Sequence, residues 1–221
     1  MSTPRELADR FHERWLRIHP FAATMYGIPG YDHLIPDDSA EGQQAWRAEA
    51  GRFLAESDAI DREGLAVADA VTLDCVAEMA TQEVMLIDLA ADEHTVTPMH
   101  YTGPPVFLAT AARTILLDEA AAEAYLTRLR SSGTWIDQVT ERLRYGAAKG
   151  RLPVAALAEQ AVAWAQRLLD APDASPALAP RPPQGWDRAQ AWEAERGAAV
   201  ADVLQPALAR WTALVRDLLP R

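Results

Sequence analysis

Helix start and stop signals recur at short intervals along this chain, and that punctuation constrains its fold more than any other feature. Thr3-Pro4-x-Glu6 opens the first helix. Thr3 serves as N-cap, Pro4 takes the first helical position, where its missing N–H costs little, and Glu6 completes a capping box. Leu7, Phe11, Leu16 and Ile18 follow as an apolar face at roughly helical spacing. His19-Pro20 ends the segment, because a residue before proline is pushed out of the α region. Asp38 or Ser39 caps a second helix reaching about Ala59, and a third spans roughly residues 65–91. Pro104 or Pro105 starts one that continues to Leu116, and Asp118 caps another over residues 119–130. Gly133 is expected to separate that helix from the next, over residues 135–148, which Gly150 closes. Pro153 begins one to Leu169, and the last runs from about Asp187 to Leu219 with a kink expected at Pro206. Strand alternation is nearly absent. The expectation is an all-α bundle of about seven to nine helices.

With 221 residues, 49% of them hydrophobic, the chain has enough apolar side chains for a substantial core. It is read as one helical domain over residues 1–221, with a Pro-rich strap at 172–185 before the long C-terminal helix. No fixed-period repeat appears, which argues against a solenoid. Two irregular stretches stand out, residues 21–38 and 94–105. Both hold aromatic residues that a solvated linker would not need, so both are expected to be structured loops.

Thirty-two acidic and 21 basic side chains give a formal charge of -11. That balance disfavours nucleic acid and anionic membrane surfaces, both polyanionic, as partners. No apolar run approaches the length of a membrane span. The charged, helix-forming N-terminus does not read as a signal peptide, which leads to an expectation of a cytoplasmic protein. Cys75, the single cysteine, falls in a strongly helical segment and reads as a small apolar core residue.

Metal chemistry finds little support. His12-Glu13-Arg14-Trp15-Leu16 is the nearest approach to a zincin helix, which needs two histidines four apart to reach one ion, and here the second position is Leu16. None of the five histidines stands three or four residues from another on one helix. Asp74 and Glu78, spaced i, i+4, lack the Glu-x-x-His partners of a di-iron bundle and read as a solvated face. Nucleophile-elbow, phosphate-loop and dinucleotide glycine motifs are missing as well. The expectation is no metal and no cofactor. The most suggestive polar cluster is His100-Tyr101-Thr102-Gly103, where an imidazole and hydroxyls adjoin a glycine that permits close backbone approach.

The order of these segments resembles a bacterial family called "domain of unknown function 885". Pro20-x-x-Ala23-Thr24-x-x-Gly27, then Tyr31-Asp32-x-Leu34 and Asp38-Ser39, match its opening. The helix start at Asp69 to Asp74 and Gly103-Pro104 follow in order. Ala124-Tyr125-Leu126-x-Arg128-Leu129, Leu143-Arg144-x-Gly146-x-x-x-Gly150-x-x-Pro153 and Val203-Leu204-x-Pro206-Ala207 complete the pattern. Family members are similar to zinc peptidases of the carboxypeptidase type, with an H-E-x-x-H helix in the C-terminal half. The resemblance therefore implies the N-terminal helical part of such a protein, covering the substrate cleft, with no zinc ligand to carry over. It connects the loops around Tyr31 and Tyr101 to substrate.

Two functional expectations follow. In the first, a metal-free module binds a peptide or small molecule through Tyr31, His33, Thr102 and Gly103, and pairs with a separate catalytic chain or with a second copy of itself. In the second, the chain is a stand-alone repurposed enzyme of specialised metabolism, using an interhelical pocket with His100, Tyr101, Tyr26 and Asp32 as acid–base groups.

Overall fold

The capping box written into residues 3–6 forms as expected in the computed structural model, which describes residues 2–99 and 101–219. Thr3 Oγ1 accepts from the Glu6 N–H at 3.2 Å, and the Glu6 carboxylate accepts from the Thr3 N–H at 2.8 Å. From there α1 (Pro4–Ile18) buries Leu7, Phe11 and Leu16, and Pro20 starts the short α2 (Pro20–Met25). Ser39, not Asp38, caps α3 (Ala40–Asp58) by accepting from the Gly42 N–H at 3.0 Å. The chain continues through α4 (Val67–Asp88), α5 (Gly103–Arg113), α6 (Glu119–Ala148), α7 (Ala155–Asp170), α8 (Ala189–Ala199) and α9 (Gln205–Asp217). No strand occurs among the described residues.

Two helix boundaries differ from the sequence reading. Gly133 does not break its helix, and α6 runs unbroken through it for 30 residues. The reason is packing: a Cβ at Gly133 would lie 2.8 Å from Val203 Cγ1, so the glycine admits a close approach of the C-terminal helix. Pro206 does not simply kink the last helix either. A π turn over Val200–Leu204 joins α8 to α9, with the Gln205 N–H bonded to Val200 O. That five-residue step shifts the hydrogen-bond register just ahead of a residue that has no N–H to give.

Buried apolar side chains fall in two clusters. The larger lies among α5 to α9 and includes Trp135, Trp192 and Trp211. The smaller lies among α1, α3 and α4, where Phe11 meets Phe53 edge-on at 5.3 Å. The Pro-rich strap packs on the larger cluster: its buried Ala177 accepts from Tyr125 Oη at 2.7 Å, and the Arg196 guanidinium donates to Pro180 O.

Candidate functional site

Polar and charged side chains gather where the two apolar clusters meet, and α6 supplies most of the partners. Its Arg128, 2% exposed, reaches into the loop after α2. The guanidinium donates to Leu34 O at 2.7 Å, Tyr31 O at 2.6 Å, Thr24 Oγ1 at 2.8 Å and Pro20 O at 3.4 Å. Burial lowers its pKa to about 10, opposed by Asp32 with its carboxylate 3.7 Å away, so the group stays charged at neutral pH. Four acceptors converging on one fork of N–H groups fix the whole segment from residue 20 to 34.

The same loop ends at Asp37-Asp38. Because Ser39 takes the capping role, the Asp38 side chain turns away from the helix end. Its Oδ2 accepts from Trp135 Nε1 at 2.6 Å. The Asp38 N–H donates to Gln138 Oε1 at 3.2 Å, and the amide of Gln138 donates to Asp37 at 3.0 Å. Burial pushes the Asp38 pKa up to about 6, the nearby Asp92 carboxylate adds to the rise, and the Trp135 hydrogen bond opposes both. Burial raises Asp92 too, against the pull of Arg142 and of Gln43, which donates to it at 2.6 Å. Asp92 nonetheless retains solvent-exposed surface. The pair thus sets one sheltered carboxyl near one with solvent-exposed surface.

Glu83 of α4 lies near enough for its charge to act on Asp92. Burial alone would raise its pKa, but His19, Trp46 and Trp15 outweigh that and hold it below the ordinary value. Two indoles donate to it, Trp15 at 2.8 Å and Trp46 at 2.7 Å. His19 Nε2 lies 3.0 Å from the same carboxylate, a close contact without hydrogen-bond alignment. On the other side of Asp92, the buried Glu93 binds Arg142 at 2.7 Å and Arg151. Gly146 makes room for this turn, since a Cβ there would lie 2.1 Å from Glu93 O.

An open groove of about 380 Å³ runs between the loop and α6. Ile35, Pro36 and Asp37 form one wall, Ser131, Thr134 and Gln138 the other, with Trp135 beneath and Arg130 at the rim. Trp135 and Gln138 therefore belong to the groove and to the hydrogen bonds around Asp38 at once. A ligand lying in it would meet hydroxyl and amide groups, the small exposed part of a buried indole, a carboxylate from Asp37 and a guanidinium at the rim. Among the described residues no three His, Cys, Asp or Glu side chains converge as a metal site.

The residues singled out from the sequence are dispersed around this region. Tyr26 and Tyr101 are exposed, and Met25, next to Tyr26, touches Arg113. Asp32 accepts from Thr24 Oγ1 at 2.5 Å and serves the Arg128 network. Tyr31 is engaged through its backbone carbonyl, and His33 is exposed. Thr102 precedes α5, and Gly103 takes a φ of +62°, where a side chain would be strained. His100 lies outside the described residues. The groove is lined by the end of the first loop, at residues 35–37, rather than by Tyr31 or Tyr101. Sequence reasoning passed over Trp135, Gln138 and Asp92; the available signal was the Asp37-Asp38 doublet ahead of a serine cap, which leaves one carboxylate unused.

No curated protein sequence matches this one. Among solved structures, the fold is similar to that of a Shewanella oneidensis protein of unknown function, provisionally assigned as a lipoprotein, with a TM-score of 0.66 and 13% identity. The match covers 99% of this chain and 38% of that one, so the chain spans less than half the length of its structural relative. A model of bacterial proteins of unknown function, DUF885, matches residues 20–221, and the chain belongs to that family.

Proposed function

We propose that this chain is a ligand-binding helical module which holds a peptide or small molecule in the groove over Trp135, the chemistry being supplied by a separate catalytic chain. The observation that carries the reading is the continuity of the groove with the Asp37–Asp38 end, where polar groups converge beside an aromatic floor. The Asp37 carboxylate at one end suits a ligand with a protonated amine, such as the free N-terminus of a peptide. Thr134 is exposed in the groove wall, so Thr134→Trp fills the groove without disturbing the core. Calorimetric titration with free and N-acetylated di- and tripeptides tests the idea. Binding is expected for the free peptides, weaker for the acetylated ones, and lost in Thr134→Trp. Silence from every peptide, or undiminished binding in Thr134→Trp, refutes it.

A second reading, a stand-alone enzyme without metal, draws on Asp38, a sheltered carboxyl with a pKa of about 6 next to the groove. Turnover of small amides or esters by the isolated chain, abolished by Asp38→Asn, would select it over pure binding.

A further inference from the structure

Helix α4 is apolar on two opposite faces. Leu73, Val76 and Ala80 face inward and are buried against α1 and α3. At roughly 100° per residue, Val67, Val71, Cys75, Met85, Leu86 and Leu89 fall together on the other side. All six are exposed, the five besides Cys75 between 49% and 81%. Singly exposed apolar residues are ordinary, but two groups of them on one helix face, either side of Glu78 and Gln82, suit a contact surface.

Charge narrows what that partner is. The helix carries no Lys or Arg. Asp74 and Glu78 interrupt the stripe near its middle, with Asp74 paired to Arg62 at 2.6 Å and Glu78 bonded by Gln82 at 2.8 Å. Residue 78 is midway between Val67 and Leu89, so an antiparallel pairing of two copies would set Glu78 against Glu78. Like charges facing each other at the centre of a symmetric contact oppose it, and the chain's net charge of -11 adds to the repulsion.

We infer that the outer face of α4 docks an amphipathic helix of a partner protein, apolar at both ends and carrying Arg or Lys at its centre opposite Glu78. This surface is separate from the groove, and its test does not involve any groove ligand. The probes are two synthetic helical peptides of α4's length with a leucine stripe, one with two central arginines and one with two central glutamates. Fluorescence anisotropy is expected to show the arginine peptide binding at least tenfold more tightly. Val71→Gln with Leu86→Gln, both exposed changes, should weaken that binding at least tenfold while circular dichroism stays unchanged, and Glu78→Gln should narrow the gap between the peptides. Equal affinity for both peptides, no binding of either, or binding indifferent to the double substitution overturns the inference. A stable dimer in sedimentation that the double substitution dissociates would overturn it too, by assigning the face to a second copy.

Discussion

The two loops that meet at the seam are each held by a buried charge, but the charge comes from opposite sides. Residues 20–34 bring mostly backbone carbonyls within hydrogen-bond reach, with the Asp32 carboxylate further off at 3.7 Å, and the cation arrives from α6 as Arg128. The turn around Glu93 brings the anion itself, and two cations come to it, Arg142 from α6 and Arg151 from beyond its end. One loop therefore hangs on a single side chain, whereas the other shares its anchor between two. The first attachment is thus concentrated and the second distributed.

Arg128→Met should have the largest effect, because it orphans several acceptors together. A loss of about 4 kcal/mol in unfolding free energy is expected, read from urea midpoints. Conversely, Arg128→Lys should recover only part of it, since an ammonium cannot span the same acceptors. Glu93→Gln should cost about 3 kcal/mol by leaving two guanidiniums facing a neutral amide, and Arg151→Ala distinctly less, as Arg142 remains. If Arg151→Ala proves as damaging as Glu93→Gln, the anchor is not shared.

Asp38→Asn should act in the other direction. With a folded pKa near 6 against an ordinary 3.8, the native state binds the proton more tightly than the unfolded state between those values. Stability contributed by Asp38 is therefore present at low pH and falls as pH rises through 6. The amide oxygen can still accept from Trp135, so Asp38→Asn should stabilise by about 1–2 kcal/mol at pH 7.5, with the gain vanishing near pH 4. Thermal melts at both pH values check this. The smallest change expected is Ala90→Gly. Ala90 enters the Glu93 turn with a φ of 51°, where a Cβ is unfavourable, and glycine should gain about 0.5 kcal/mol.

Most helices were legible because their ends are written locally. Thr3 with Glu6, Ser39, Asp118 and the prolines at 4, 20 and 104 act within one turn of their own position. Gly133 and Pro206 misled for the same reason: what decides both is contact or register elsewhere, Val203 against the glycine and the π turn ahead of the proline. The site was harder to read. Asp38 bonds Trp135, 97 residues away, and no local pattern announces such a pairing. The aromatic loop over residues 21–38 stands out in the sequence, and it is residues 35–37 of that stretch that line the groove.

Arg128 also sets an order of events. The residues it binds precede it by 94 to 108 positions. In a chain synthesised from its N-terminus, α1, α3 and α4 can emerge and pair among themselves well before residue 128 exists. The segment between α1 and α3 has to wait, its carbonyls turned to water, until the middle of α6 arrives. The seam between the two clusters, with its groove, is therefore the last part of the N-terminal half to take shape, and a ribosome stalled before α6 would carry paired helices with the groove still unformed.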